Sequence, residues 1–170
     1  MENTEMIILV GVVLVAAALI AAGICVPVIV NAVFNYSLQT NAIEETIKRL
    51  HGLNFEVEVV LEEDGEIFFE TTQYYTEFVH QTDEQIARFR DNGDLVSVHN
   101  HVDDTPPSVQ DLLYAAEADF AQIVVVTPKW IYRIVRPELG WADESEIAST
   151  DKALAAVCED LGYKMTKEEV

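Results

Sequence analysis

The chain has 170 residues, of which 30 are acidic and 10 are lysine or arginine, giving a formal net charge of −20 at pH 7. This length allows one ordinary domain with one core and is too short for a (β/α)₈ barrel. An acidic surface repels a polyanion, so binding of nucleic acid through phosphate neutralisation is excluded. The excess of carboxylates favours a halophilic origin, because salt must screen such self-repulsion; an ordinary solvated acidic face is the alternative.

The first part of the chain is apolar. Met6–Phe34 contains no charged residue, and about twenty helical residues already span a hydrocarbon core. We therefore predict a membrane anchor at residues 1–39, with its transmembrane helix at 6–34, and a separate domain at residues 40–170. A cleaved signal peptide is the alternative reading. It is disfavoured because acidic residues replace the usual basic region and the apolar run is about twice the usual length.

The flanking residues indicate the compartment of the domain. Lys48 and Arg49 are the first basic residues after the span, which favours a single-pass membrane protein with a cytoplasmic C-terminal domain. Cys25 lies in the apolar span and Cys158 in a predicted late helix, so no disulfide framework is expected. The chain therefore needs no oxidising compartment.

The domain begins with a helix and a hairpin. Thr40–Leu50 has apolar residues at helical spacing and Gly52 beyond its end, which predicts a helix. Phe55–Leu61 alternates strictly, with Glu56 and Glu58 on the face opposite its apolar side chains, and is predicted to be a strand. A turn at residues 63–66 leads to a second strand, Ile67–Thr72.

The remaining elements alternate between helix and strand. In chain order we predict a helix capped by Thr82 and running through Phe89, a strand at Leu95–His99, a helix capped by Ser108, strands at Ile123–Thr127 and Trp130–Val135, and a final helix at Ala148–Leu161. Hairpins occur twice and a strict βαβ period is lacking. The predicted fold class is α/β or α+β, with a mixed sheet flanked by helices.

The most informative segment joins the predicted strand Leu95–His99 to the helix capped by Ser108. His99 and His101 are two residues apart where a strand ends, so both imidazoles can project to one face. Pro106-Pro107 delays the next helix, which Ser108 opens, and Asp111 lies one turn inside it. Two imidazole nitrogens and one carboxylate, with a fourth position open to water, are the ligand set of a catalytic zinc site.

This segment resembles the JAB/MPN metalloproteases with the JAMM motif, in particular their RadC-like branch. His99-Asn100-His101 matches the His-x-His part and Ser108-Val109-Gln110-Asp111 matches Ser-x-x-Asp, within a similarity covering roughly residues 53–136. The resemblance implies a JAB/MPN-like, cytidine-deaminase-like architecture. It also implies that Zn²⁺ is bound by His99, His101 and Asp111, and that Ser108 helps to position or stabilise an oxyanion. Val102 replaces the family's proline, and the loop to Asp111 is about one residue short.

The family also places a glutamate on an upstream strand as general base. Alignment on the Glu-led strand favours Glu56, with Glu58 second and Glu44 or Glu45 as distant alternatives. His51 and His80 lack comparable context and are interpreted as surface or structural residues. Asp103 and Asp104 are interpreted as a solvated loop rather than as further ligands. Four histidines in all are too few for the barrel metal sites of amidohydrolases or PHP-type phosphoesterases.

The resemblance implies a zinc-dependent peptidase or isopeptidase that hydrolyses an amide in a protein or peptide substrate, including isopeptide-linked ones. The anchor would confine it to substrates that reach the bilayer surface. The alternative is a JAB/MPN-fold binding or structural module with weak or no catalysis, in a membrane or viral assembly.

Overall fold

A computed structural model describes residues 26–72, 81–148 and 154–170. The described helices are α1 (Val26–Leu50), α2 (Asp83–Asn92), α3 (Val109–Ala118), α4 (Glu144–Ala148) and α5 (Leu154–Asp160). The described strands are β1 (Val57–Leu61), β2 (Ile67–Thr72), β3 (Val96–Asn100), β4 (Gln122–Val126), β5 (Trp130–Val135) and β6 (Lys164–Glu169).

The strands form one mixed sheet in the order β2-β1-β3-β4-β5-β6. β3 and β4 are parallel and are connected through α3, whereas every other neighbouring pair is antiparallel. Mixed α/β architecture with helices flanking a mixed sheet is therefore confirmed. The parallel pair matters for the site, because both strands end at the same edge of the sheet and the chain then enters α3 beside them.

The two faces of the sheet are covered differently. α1 lies on one face, where Ile43, Ile47 and Leu50 pack against alternate residues of the central strands, such as Val59 and Val98. The other helices cover the opposite face, and their buried residues form a second cluster with the remaining strand residues. That cluster is built from Ile86, Phe89, Leu112, Ala115, Phe120, Ile123, Ile134, Val157 and others.

Two predicted helices have a different extent in the structure. The predicted helix Thr40–Leu50 is the C-terminal part of α1, which runs without interruption from Val26, where the described residues begin. The predicted final helix at 148–161 corresponds to α5 (Leu154–Asp160), with residues 149–153 outside the described part. β6 was not predicted at all. Its sequence Lys-Met-Thr-Lys-Glu-Glu is polar because it is an exposed edge strand, and such a strand carries little apolar signal.

The predicted anchor lies largely outside the described residues, which begin at residue 26. Among the helices that the structure describes, none combines the length and the apolar character needed to cross a bilayer.

Candidate metal centre

The end of β3 sends successive side chains to opposite faces of the sheet. His99 is paired with Glu58 of β1 and with Val125 of β4, which places it at the centre of the sheet. His101 follows on the same side, and the two imidazole centroids lie 5.3 Å apart. Strand alternation therefore gives the two histidines one common face, as the sequence predicted.

Asn100, between the two histidines, points the other way and is buried. Its side-chain oxygen accepts a hydrogen bond from the Val57 amide at 2.9 Å, and its side-chain nitrogen donates to the Phe55 carbonyl at 2.9 Å. These two contacts replace backbone pairing on either side of Glu56. They also explain why β1 begins at Val57 rather than at Phe55, where the sequence predicted its start.

Asp111 reaches the histidines from the first turn of α3. Its backbone amide donates to the Ser108 hydroxyl at 3.2 Å, and its carboxylate Oδ2 accepts from the Ser108 amide at 2.6 Å, which is a complete capping box. The Ser108 hydroxyl also donates to Oδ2 at 2.8 Å. The cap therefore fixes the Asp111 carboxylate at the point where the helix starts.

The three side chains converge. Asp111 Oδ1 lies 3.5 Å from His99 Nε2, and Asp111 Oδ2 lies 3.8 Å from His101 Nε2. One ligand atom from each of the three residues lies within 4.8 Å of those of the other two. Two imidazoles and a carboxylate at these separations could hold a metal ion, with a small inward movement of each.

The loop that follows β3 sets the orientation of His101. Its Nδ1 lies 3.0 Å from the Thr105 carbonyl oxygen, so the ring donates Nδ1–H there and Nε2 keeps its lone pair toward Asp111. Thr105 is held in turn by Asp103, whose Oδ1 accepts from the Thr105 amide at 3.2 Å and from its hydroxyl. A metal-binding histidine ordinarily has such an outer partner.

His99 Nε2 is buried and makes no hydrogen bond. A buried nitrogen without a partner is costly, and a cation between the two rings and Asp111 would provide one. Burial alone would lower the pKa of His99, but the adjacent Asp111 carboxylate and the charge of Glu58 raise it. The donor set therefore fits a bound divalent cation, which would occupy the position that a proton takes on His99.

The pKa values of His101 and Asp111 are shifted by burial and by the same neighbouring charges. Burial lowers the pKa of His101, and repulsion by His99 lowers it further. Burial opposes ionisation of Asp111, yet the His99 ring beside its carboxylate outweighs this effect and holds the pKa of Asp111 below its usual value. Asp111 is thus an ionised ligand and His101 a neutral one, which are the forms that bind a metal.

Glu58 is the buried acid next to this group. Its side chain is 1% exposed, and its carboxylate accepts hydrogen bonds from Ser97 at 2.7 Å, from Tyr114 at 3.2 Å and from Gln81. Burial raises the pKa of Glu58, while the charge of His99 and these three donors act in the opposite direction. Burial and the negative charge of Glu58 raise the pKa of Tyr114, so its hydroxyl stays protonated and donates.

Glu56, the favoured base in the sequence, precedes β1 and is half-buried. Continuing the β1–β3 register by two residues sets it across from His101, and its charge contributes to raising the pKa of His99. Both glutamates therefore lie on the face of the histidines. Glu58 is the one enclosed by donors beside His99.

The other candidates lie elsewhere. Glu44 forms an ion pair with Arg133 at 2.7 Å, and Glu45 is exposed on α1. Asp104 is tied to Lys129 by a 2.8 Å ion pair. The exposed His51 contacts the Pro128 carbonyl, and His80 is outside the described residues.

The donors around Glu58 were not predicted from the sequence. Ser97 carried a usable signal, because it lies two residues before His99 on the same face of β3. Tyr114 and Gln81 are 56 and 23 residues from Glu58 along the chain, so no local pattern connects them.

Comparison of the chain with protein-family models, with curated proteins and with solved structures finds no match. The site must therefore be interpreted from its own geometry.

Proposed function

We propose that this protein is a membrane-anchored, zinc-dependent peptidase or isopeptidase of the JAMM type. The observation that carries the proposal is the convergence of His99, His101 and Asp111 beside the buried carboxylate of Glu58. Two imidazoles and one carboxylate leave a fourth position for water or substrate, which is the pattern of a catalytic rather than a structural zinc site. Iron or manganese could use the same ligands, and zinc is proposed because of the JAMM resemblance.

His99, His101 and Asp111 would hold the cation, which supplies a Lewis acid that acidifies water and polarises an amide carbonyl. Glu58 would accept the proton of the attacking water and pass it to the leaving amine. A base works best when its pKa lies near the working pH, and burial shifts the pKa of Glu58 upward in that direction. Ser97, Tyr114 and Gln81 hold its carboxylate in place.

Ser108 has two proposed roles. Its contacts with the Asp111 carboxylate support positioning of a ligand. Stabilisation of an oxyanion would require the hydroxyl to turn toward substrate, after the cation has taken over part of the Asp111 charge.

The membrane part of the proposal rests on sequence. Met6–Phe34 is free of charge and would anchor the chain as a single span, with the domain on the cytoplasmic side. The substrate would be a protein or peptide, including one joined through an isopeptide bond.

A binding or structural module with the same fold is the second candidate. The observation that favours it is that the Glu58 carboxylate already accepts from three side chains in a buried environment. A carboxylate that already accepts three hydrogen bonds has little remaining capacity to accept one from a water molecule. The departures at Val102 and in the loop length point in the same direction.

Metal binding is tested first. The full chain in detergent micelles is purified with zinc, dialysed, and its metal measured, alongside His101→Ala and the control His51→Ala. We expect about one zinc per chain in the parent and in the control, and loss in His101→Ala. Equal zinc in all three, or none in any, would contradict the site.

Catalysis is tested separately. Cleavage of an isopeptide-linked protein conjugate is compared among the parent chain, Glu58→Gln and Glu56→Gln, with zinc content measured in each. We expect Glu58→Gln to keep its zinc and lose turnover by at least about 100-fold, the lower end of the contribution of a general base. Loss only in Glu56→Gln would move the base to that residue. Metal binding without turnover in the parent would favour the binding module.

A further inference from the structure

Helix α1 runs from one end of the sheet to the other. At one end, Gln39 Nε2 donates to the Glu62 carbonyl, just beyond β1, at 3.1 Å. The hairpin at Gly65 packs so closely on the same part of α1 that a Cβ there would lie 3.0 Å from the helix backbone. At the other end, His51 Nε2 lies 3.2 Å from the carbonyl oxygen of Pro128, just beyond β4.

The metal site lies at the second of these ends. β3 and β4 are parallel, and the His101 amide donates to the Val126 carbonyl at 2.9 Å. Pro128 follows Val126 closely along the chain. The C-terminal end of α1 therefore shares one end of the sheet with the histidines, whereas Gln39 marks the opposite end.

The part of α1 before Gln39 continues past the sheet and exposes apolar side chains. Phe34 is 61% exposed and Tyr36 is 72% exposed, and Val33 is also open to solvent. Aromatic residues in such a position are typical of the level of the lipid headgroups. The helix continues without a break from this part back to Val26, so its first nine described residues, 26–34, belong to the charge-free segment of the sequence.

These observations together orient the domain. At 1.5 Å per residue, α1 from Tyr36 to Leu50 is about 21 Å long. We infer that the anchor leaves the bilayer at the end of the domain opposite the metal site, so that the scissile bond is held about 20 Å from the headgroups. This inference rests on the membrane anchor in the proposed function.

The orientation specifies a substrate class. The site would act on an amide or isopeptide bond of a folded partner, or of a protein tag, that extends from the bilayer by about the width of a small domain. A bond next to a transmembrane segment would be out of reach. The anchor then selects partners by height above the membrane rather than by contact with lipid.

The test compares two labelled positions in the full chain carrying Cys25→Ser; Cys158 is buried and is not expected to react. A nitroxide is attached through Val102→Cys, next to the site, or through the matched variant Glu63→Cys, at the Gln39 end. Each protein is reconstituted into vesicles whose lipids carry Gd³⁺ chelates on their headgroups. Pulsed electron paramagnetic resonance then measures the distance between the nitroxide and the Gd³⁺ ions.

We expect the shortest distance from position 102 to exceed that from position 63 by about 15 Å or more, since α1 runs the length of the sheet between the two ends. Equal distances, the reverse order, or failure of the chain to insert would overturn the inference.

A second variant tests α1 as the spacer. Seven helix-forming residues inserted after Tyr36 should lengthen both distances by about 10 Å. Unchanged distances would overturn the inference. Neither measurement uses the metal, so zinc content of the same preparations judges the proposed metal site separately.

Discussion

The two faces of β3 show how one strand separates stability from chemistry. Val96 and Val98 face α1 within an entirely apolar cluster, whereas Ser97 and His99 face the other helices and begin the polar site. These four residues are consecutive in the chain and are at most 12% exposed. On the α1 face of β3 the polar side chain is that of Asn100 at the strand end, and both ends of its amide are hydrogen-bonded, so this face supplies a firm support. The other face can therefore hold a partnerless nitrogen and a buried carboxylate.

The largest effect is expected from placing charge on the apolar face. Val98→Asp puts an unpaired carboxylate into this buried apolar cluster, and should cost about 4 kcal/mol or more of unfolding free energy. Urea unfolding followed by circular dichroism measures the loss. Val135→Asp, at a position that is 43% exposed at the end of β5, is the control and should cost about 1 kcal/mol or less. Similar costs for the two would contradict the division between faces.

Removing a charge from the metal group should, in contrast, leave the fold intact. Asp111→Asn keeps the shape of the capping side chain but removes the carboxylate, so zinc affinity should fall by more than about 100-fold, beyond the usual cost of losing an outer partner. Calorimetry measures the affinity, and urea unfolding should change by no more than about 1 kcal/mol. Asp91→Asn, on the exposed surface of α2, controls for net charge. Unfolding of Asp111→Asn would show that the site is part of the structural core.

A smaller loss of zinc affinity is expected when the support behind the ligand His101 is removed. Asp103→Ala removes the acceptor that holds Thr105, and with it the support of the carbonyl that orients His101. Zinc affinity should fall about 10-fold, as is usual for an outer partner of a metal ligand. Titration with a competing chelator measures it, and Glu138→Ala, an exposed acid away from the site, should have no effect. Unchanged affinity in Asp103→Ala would show that the loop does not position the ring.

The smallest expected effect is the pH-dependent contribution of the buried Glu58 to the free energy of unfolding. Burial raises the pKa of Glu58 above its ordinary value of 4.5, so the folded state favours the protonated form. The stability that depends on this proton is complete below pH 4.5 and is lost as pH rises through the folded pKa. Metal-free Glu58→Gln should therefore be more stable than the parent chain at pH 7, on the order of 1 kcal/mol, and equal to it near pH 4. Urea unfolding at both pH values tests this, and lower stability of the variant at pH 7 would contradict it.

Much of the fold could be predicted because its elements carry local signals. Thr82 and Gln85 form the expected capping box of α2, and Ser108 and Asp111 form that of α3. The metal group could be predicted for the same reason. Each half of it is a short motif at an element boundary, and the parallel pairing of β3 with β4 brings the halves together.

What could not be predicted depends on contacts between distant residues. Glu56 and Glu58 lie on one strand face, and Glu56 is favoured by alignment on the family's Glu-led strand. The donors around Glu58, from β3, α3 and Gln81, depend on distant contacts that no local pattern indicates. β6 is polar and gains its pairing entirely from β5. Neither feature leaves a periodic pattern in the chain.

Asn100 has a consequence for anyone who would transplant this ligand pair onto another sheet. Copying the two histidines alone would carry over their spacing but not the gap in strand pairing that the amide fills between Phe55 and Val57. The portable unit is the tripeptide together with the interrupted neighbouring strand. A designer who grafts only the two imidazoles would obtain regular backbone pairing between the two strands. The distance between the Glu56 side chain and the histidine rings would then differ from that in this protein.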